Sequence, residues 1–147
     1  MVSTSWTGQA QARVEEPRHA LPKTKLLIID DRETVRQALE ARLSHAPEIE
    51  LVGSARSSEE GIQAARDLAP DVVLLEVKMA DGKGLDVCRC ITQANPHTDV
   101  IILTSYVDEA ERQAAFQAGA ASYVLKDIDS QRLIRAIESV RLNRGRA

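Results

Sequence analysis

Five short apolar runs, each followed by a stretch with helical spacing, constrain this chain more than any other feature. The runs are Leu26-Leu27-Ile28-Ile29, Ile49 to Val52, Val72-Val73-Leu74-Leu75, Val100-Ile101-Ile102-Leu103 and the shorter Ser122 to Leu125. A run without polar alternation reads as a strand buried on both faces, which is the mark of a parallel sheet covered by helices. Between the runs, apolar residues recur at helical spacing: Val35, Ala38, Leu39 and Leu43; then Ile62, Ala65 and Leu68; then Leu85, Cys88 and Ile91. Val107, Ala110, Ala114 and Ala118 follow as a small-residue stripe, and Leu133, Ile134, Ile137 and Val140 form the last one. Ser58 has the chemistry of a helix N-cap, Gly53 closes the second strand, Gly119 suits a C-cap, and Asp127 or Asp129 can cap the final helix. Five βα units predict an α/β fold, a doubly wound, flavodoxin-like parallel sheet of strand order 2-1-3-4-5.

Where the strands end, polar residues collect. The first run stops at Asp30-Asp31, the third at Glu76, the fourth at Thr104-Ser105 and the fifth at Lys126. In open α/β sheets the carboxyl ends of the strands are where ligands bind, and in this strand order the first and third strands are neighbours at the switch point. Asp30, Asp31 and Glu76 are therefore expected in one crevice with Thr104 and Lys126. Three carboxylates repel one another, and a hard divalent cation relieves that repulsion. Magnesium suits the set because it takes few protein carboxylates, keeps waters and shares positions with phosphoryl oxygens. A lysine and a hydroxyl aimed at the same place supply a point charge and a hydrogen-bond donor for a phosphoryl group.

Composition excludes several other classes. The chain has 147 residues, one domain's worth, with 19 Lys+Arg against 22 Asp+Glu and an aromatic content of 3 %. It lacks the basic excess and the stacking platform of a nucleic-acid binder. No run approaches the roughly 20 apolar residues of a membrane span, and a cytoplasmic protein is expected. Cys88 and Cys90, two apart on a helix, cannot pair with each other there and read as reduced thiols. His19, His45 and His97 have no imidazole or thiol partner at metal-site spacing. Residues 1–22, with Trp6 their only large aromatic, read as a disordered arm; 23–142 is the folded domain and 143–147 a tail.

The segments Leu-Ile-Ile-Asp30-Asp31, Pro70 through Glu76 to Gly82, Ile-Ile-Leu-Thr104-Ser and Ala118 through Tyr123 to Lys126-Asp127 resemble the receiver domain of two-component response regulators. The resemblance runs from about Lys23 to Arg141. It is nearest to the NarL/FixJ type, in which Lys-Asp commonly stands where other receivers have Lys-Pro. It implies a magnesium pocket of Asp30, Asp31 and the acceptor position, with the backbone carbonyl of Lys78 as a further ligand. It also implies a switch hydroxyl at Thr104, a rotating aromatic at Tyr123 and a phosphate-contacting cation at Lys126.

One departure stands out. The family's acceptor is an aspartate, and Glu76 holds its place. The extra methylene displaces the carboxylate, and a misplacement near 1 Å can cost about 10²-fold in a positioned reaction. Ala80 also replaces a proline often found in this loop. The leading expectation is an atypical receiver, not an enzyme, with a weakly held magnesium ion. It would act by binding a partner such as a sensor histidine kinase or another signalling protein, or as a homodimer through its fourth helix, fifth strand and fifth helix. The second is the receiver part of a phosphorylation-controlled transcription factor, truncated or carrying an engineered acceptor. The seven residues after Val140 are too few for a helix-turn-helix, so no direct DNA contact is expected from this chain. A magnesium-dependent phosphatase ranks third, because such sites place two aspartates two positions apart and here they are adjacent. Arg132, Arg135, Arg141 and Arg144 read as a solvated helix face and tail.

Overall fold

The computed structural model describes residues 22–146. In chain order the elements are β1 (Thr24–Ile29), α1 (Glu33–Leu43), β2 (Ile49–Ala55), α2 (Ser58–Leu68), β3 (Val72–Leu75), α3 (Gly84–Ala94), β4 (Asp99–Thr104), α4 (Glu109–Gln117), β5 (Ser122–Leu125) and α5 (Ser130–Arg146). All strand pairs are parallel and the order is β2-β1-β3-β4-β5, the flavodoxin-like arrangement. Trp6 and His19 lie outside the described residues, as does nearly all of the expected arm.

The period of two along each strand divides the core into two layers. Leu27, Ile29, Val73, Leu75, Val100 and Ile102 face α2, α3 and α4, where Ala65, Val87, Cys88, Ile91, Ala115 and Ala118 complete one cluster. Leu26, Ile28, Val72, Leu74, Ile101 and Leu103 face α1 and α5 and pack on Leu39, Leu43, Leu133 and Ile137. Both faces of the three central strands are thus apolar, which is why their sequences read as unbroken runs. Burial in the first layer pushes the Cys88 thiol up to about 11, so it stays protonated at neutral pH. Among the described residues no helix is long and apolar enough to cross a membrane.

Several local expectations are corrected. β2 does not close at Gly53 but runs to Ala55. The register between β1 and β2 shifts by one residue between Leu26 and Leu27, and Gly53 pairs with Leu27 inside the ladder. The N-cap of α2 is Ser57, whose hydroxyl accepts from the Glu60 amide; Ser58 is instead the first helical residue and is buried. In α4 the expected stripe is only half right. Val107 precedes the helix and is 57 % exposed, Ala110 is exposed, and Ala115 and Ala118 carry the burial. Of the two acids offered as the cap of α5, Asp129 serves, accepting from the Arg132 amide at 2.8 Å. That helix continues to Arg146, through positions read as tail.

Gly84 opens α3 against the loop that follows β3. A Cβ there would overlap the backbone of Val77, which has no flexible end to move aside. Gly84→Ala is therefore expected to cost about 1–3 kcal/mol or more through overpacking and to shift the loop carrying Glu76 and Lys78. Chemical denaturation checks the first effect and amide chemical shifts of residues 76–80 the second.

Candidate functional site

The site lies at the carboxyl ends of β1, β3, β4 and β5. Each strand delivers one group as its hydrogen-bonded run stops. The Asp30 amide still joins Ala55 of β2, the Glu76 amide donates to Ile29 of β1, and the Lys126 amide donates to Thr104 of β4. These backbone bonds bring Asp30, Glu76 and Lys126 together from positions far apart in sequence.

Asp30 and Glu76 are almost fully buried, at 2 % and 4 % exposure, and two cations meet them. Lys126 Nζ donates to Asp30 Oδ2 at 2.8 Å and also to Glu76 Oε1. Arg32 Nη2 lies 3.3 Å from Glu76 Oε1, and Arg32 Nε lies 3.7 Å from Asp30 Oδ1. Backbone donors take further lone pairs: the Arg32 amide on Asp30 Oδ1 at 2.9 Å and the Lys78 amide on Glu76 Oε2 at 2.7 Å. Buried carboxylates persist when paired and hydrogen-bonded in this way.

Asp31 takes a different path. Its Oδ2 accepts from the Ala80 amide at 2.6 Å, tying the end of β1 to the loop after β3. Consecutive residues leaving a strand project to opposite sides, so adjacent acids separate. Among the described residues, no group of three or more His, Cys, Asp or Glu side chains is arranged to hold a metal ion. The expected cage of Asp30, Asp31 and Glu76 is not assembled here. A hard divalent cation needs oxygens with lone pairs turned towards it. Asp31 does not join Asp30 and Glu76 in a three-acid cluster, and Lys126 and Arg32 already balance the charge of those two acids, so this arrangement does not fit magnesium.

Thr104 is fully buried and its hydroxyl donates to the Tyr106 carbonyl at 2.9 Å, which turns its proton towards the loop before α4. Tyr123 is half-buried. Its hydroxyl donates to Glu111 Oε1 at 2.6 Å and accepts from the Asp108 amide at 3.3 Å, and burial together with the Glu111 contact holds its phenol above the usual range. The Lys78 side chain joins the same group. Its Nζ sits 3.9 Å from the centre of the Tyr106 ring and 3.6 Å from Glu111 Oε2. These partners, Tyr106 foremost, keep the ammonium above its ordinary pKa. Thr104, Tyr106, Glu111, Tyr123 and Lys78 thus form a polar belt between the acid site and the start of α4.

Arg32 and Glu111 escaped the reading of the sequence. Arg32 carried a signal, a cation directly after two acids at a strand end. Glu111 carried none, since an acid in the first turn of a helix is accounted for by the helix dipole alone. His45 and His97 are exposed, and Cys88 and Cys90 are free thiols.

The response regulator receiver domain family matches residues 26–138. The DNA-binding transcriptional activator DevR/DosR of Mycobacterium tuberculosis is 38 % identical over 121 residues, 82 % of this chain and 56 % of that protein. The transcriptional regulatory protein LiaR of Bacillus subtilis is 35 % identical over 115 residues, 78 % of this chain and 54 % of that protein. The chain thus spans about half the length of the curated relatives it matches. The signal receiver domain of the response regulator NarL from Mycobacterium tuberculosis superposes with a TM-score of 0.77 at 24 % identity, over 82 % of this chain and 98 % of that one, a likeness of fold.

Proposed function

The chain belongs to the response regulator receiver domain family, of the NarL/FixJ type, and on that premise we propose that it is a receiver whose regulatory charge is permanent. The observation that carries this reading is the buried contact between Glu76 and Lys126. Glu76 holds the acceptor position, and its longer side chain already engages the cation that would otherwise meet an incoming phosphoryl group. The charge is −1, against about −1.5 to −2 for a phosphate monoester at pH 7, so Glu76 is a partial and constant imitation. The module binds and does not turn over a substrate.

Output runs through the surface of α4, β5 and α5. The polar belt links the acid site to α4, where Tyr106 and Val107 stand 62 % and 57 % exposed beside it. Arg132 and Arg135 are exposed on α5. A second copy of this chain, a sensor histidine kinase or another signalling protein is the partner this surface serves. In this reading the unit is residues 23–142 and it works in the cytoplasm. The names of the relatives support a second reading, that the chain serves as the receiver of a transcriptional regulator and leaves DNA contact to another domain.

Sedimentation velocity at high protein concentration tests the permanent charge. The profile is expected to be the same with and without an acyl-phosphate donor and magnesium, and to move towards monomer in Arg132→Glu. A donor-driven shift of the unmodified protein overturns the reading.

A further inference from the structure

Arg32 is the residue of this site with no assigned part. It stands at the N-cap position of α1, where its guanidinium, a donor without an acceptor, cannot cap the helix. Instead of extending into solvent, its guanidinium turns back over Asp30 and Glu76. It is 52 % exposed, against 2 % and 4 % for the two acids, and therefore forms the solvent side of the site. Lys126 closes the inner side at 13 % exposure. Two carboxylates thus meet two cations, and the formal charge of the four groups is zero.

A divalent ion entering this site meets three obstacles. The carboxylate oxygens of Asp30 and Glu76 are already engaged by N–H donors. The ion adds two positive charges where the acids are already balanced, and like charges a few ångström apart repel strongly in a partly buried place. Magnesium also demands near-octahedral oxygen ligands at short range and sheds its waters reluctantly, so it cannot settle for what remains. A guanidinium, planar and weakly hydrated, is well suited to bridging two carboxylates and keeps its charge throughout the physiological pH range.

We infer that Arg32 is a built-in replacement for the divalent cation, making this acid site independent of metal, and that it is the residue that decides metal occupancy. The inference rests on the reading of Glu76 as a standing charge, because the longer carboxylate is one of the two groups that Arg32 bridges. An exposed ion pair is worth little as stability, so Arg32 acts here by occupying the site more than by holding the fold together.

The test is a magnesium chloride titration of the unmodified protein, Arg32→Ala and Arg32→Gln, followed by melting temperature and by the amide shifts of Asp31 and Lys78. The expected result is no saturable response of the unmodified protein at millimolar magnesium. Both variants are expected to gain one, with apparent affinity at least about tenfold higher, the equivalent of one decade in Kd. Equal saturation of all three proteins overturns the inference, and so does a lack of response in both variants. Should neither variant fold, manganese chloride added to the unmodified protein decides alone. Selective paramagnetic broadening of the Asp31 and Lys78 amides contradicts the inference, and its absence supports it. None of these readouts depends on phosphoryl transfer or association, so a failure of this inference is distinguishable from a failure of the permanent-charge reading.

Discussion

Lys126→Ala is expected to destabilise the protein by about 3–5 kcal/mol, the usual cost of leaving a buried charge without its partner. Lys126 Nζ is shared between Asp30 and Glu76, both nearly inaccessible to water, and among the described residues the other cation paired with these carboxylates is Arg32. Arg32 approaches only from solvent and is half exposed, so it cannot take over. The loss should therefore exceed that of a surface ion pair, about 0–1 kcal/mol. Adding Glu76→Gln to Lys126→Ala removes one of the two stranded charges and is expected to recover about half of the lost stability. Urea unfolding of the four proteins in the cycle gives the pairwise coupling, provided the denaturant slope is constant. A loss below about 1 kcal/mol for Lys126→Ala means that the carboxylates are effectively solvated and that the pair is not the centre of the site.

The strand order was legible in the sequence because both faces of the three central strands are apolar. Leu26 to Ile29, Val72 to Leu75 and Val100 to Leu103 supply residues alternately to two core layers, and that demand leaves a continuous run as its trace. Edge strand β2 carries less of the core, and there the reading stopped early at Gly53, taking a residue paired within the ladder for a terminator. α4 misled for another reason. Alanines at 110, 114 and 118 share a helical spacing and Ala115 lies beside them, so only packing on the sheet shows that Ala115 and Ala118 carry the burial while Ala110 is exposed. In the site, the residue types were readable and their pairing was not. Asp30 and Asp31 are neighbours in sequence, yet one joins Lys126 and the other the Ala80 amide. Which cation meets which acid is decided by side chains arriving from the ends of β1, β3 and β5, and local spacing carries no record of that.

The second large effect concerns phosphorylation. In a receiver of this family an aspartate oxygen attacks the phosphorus of an acyl-phosphate donor; a new O–P bond forms while the donor's own acyl O–P bond breaks, and the donor leaves as a carboxylate. In the function proposed, Glu76 takes the place of that aspartate and is poorly placed for the attack, since its carboxylate is displaced by one methylene and is bonded to Lys126, Arg32 and the Lys78 amide. A rate loss of at least about 10²-fold follows from misplacement alone. Glu76→Asp corrects the reach but leaves Arg32 beside Asp30, so it is expected to be modified slowly. Glu76→Asp with Arg32→Ala clears both obstacles and is expected to gain one phosphoryl group. The direct measurement is intact mass after incubation with acyl phosphate and magnesium, with the three proteins treated side by side. The expected result is an unmodified mass for the chain as it stands and a single added phosphoryl group on the double variant; a chain that gains the group as readily as the double variant contradicts the permanent charge at Glu76.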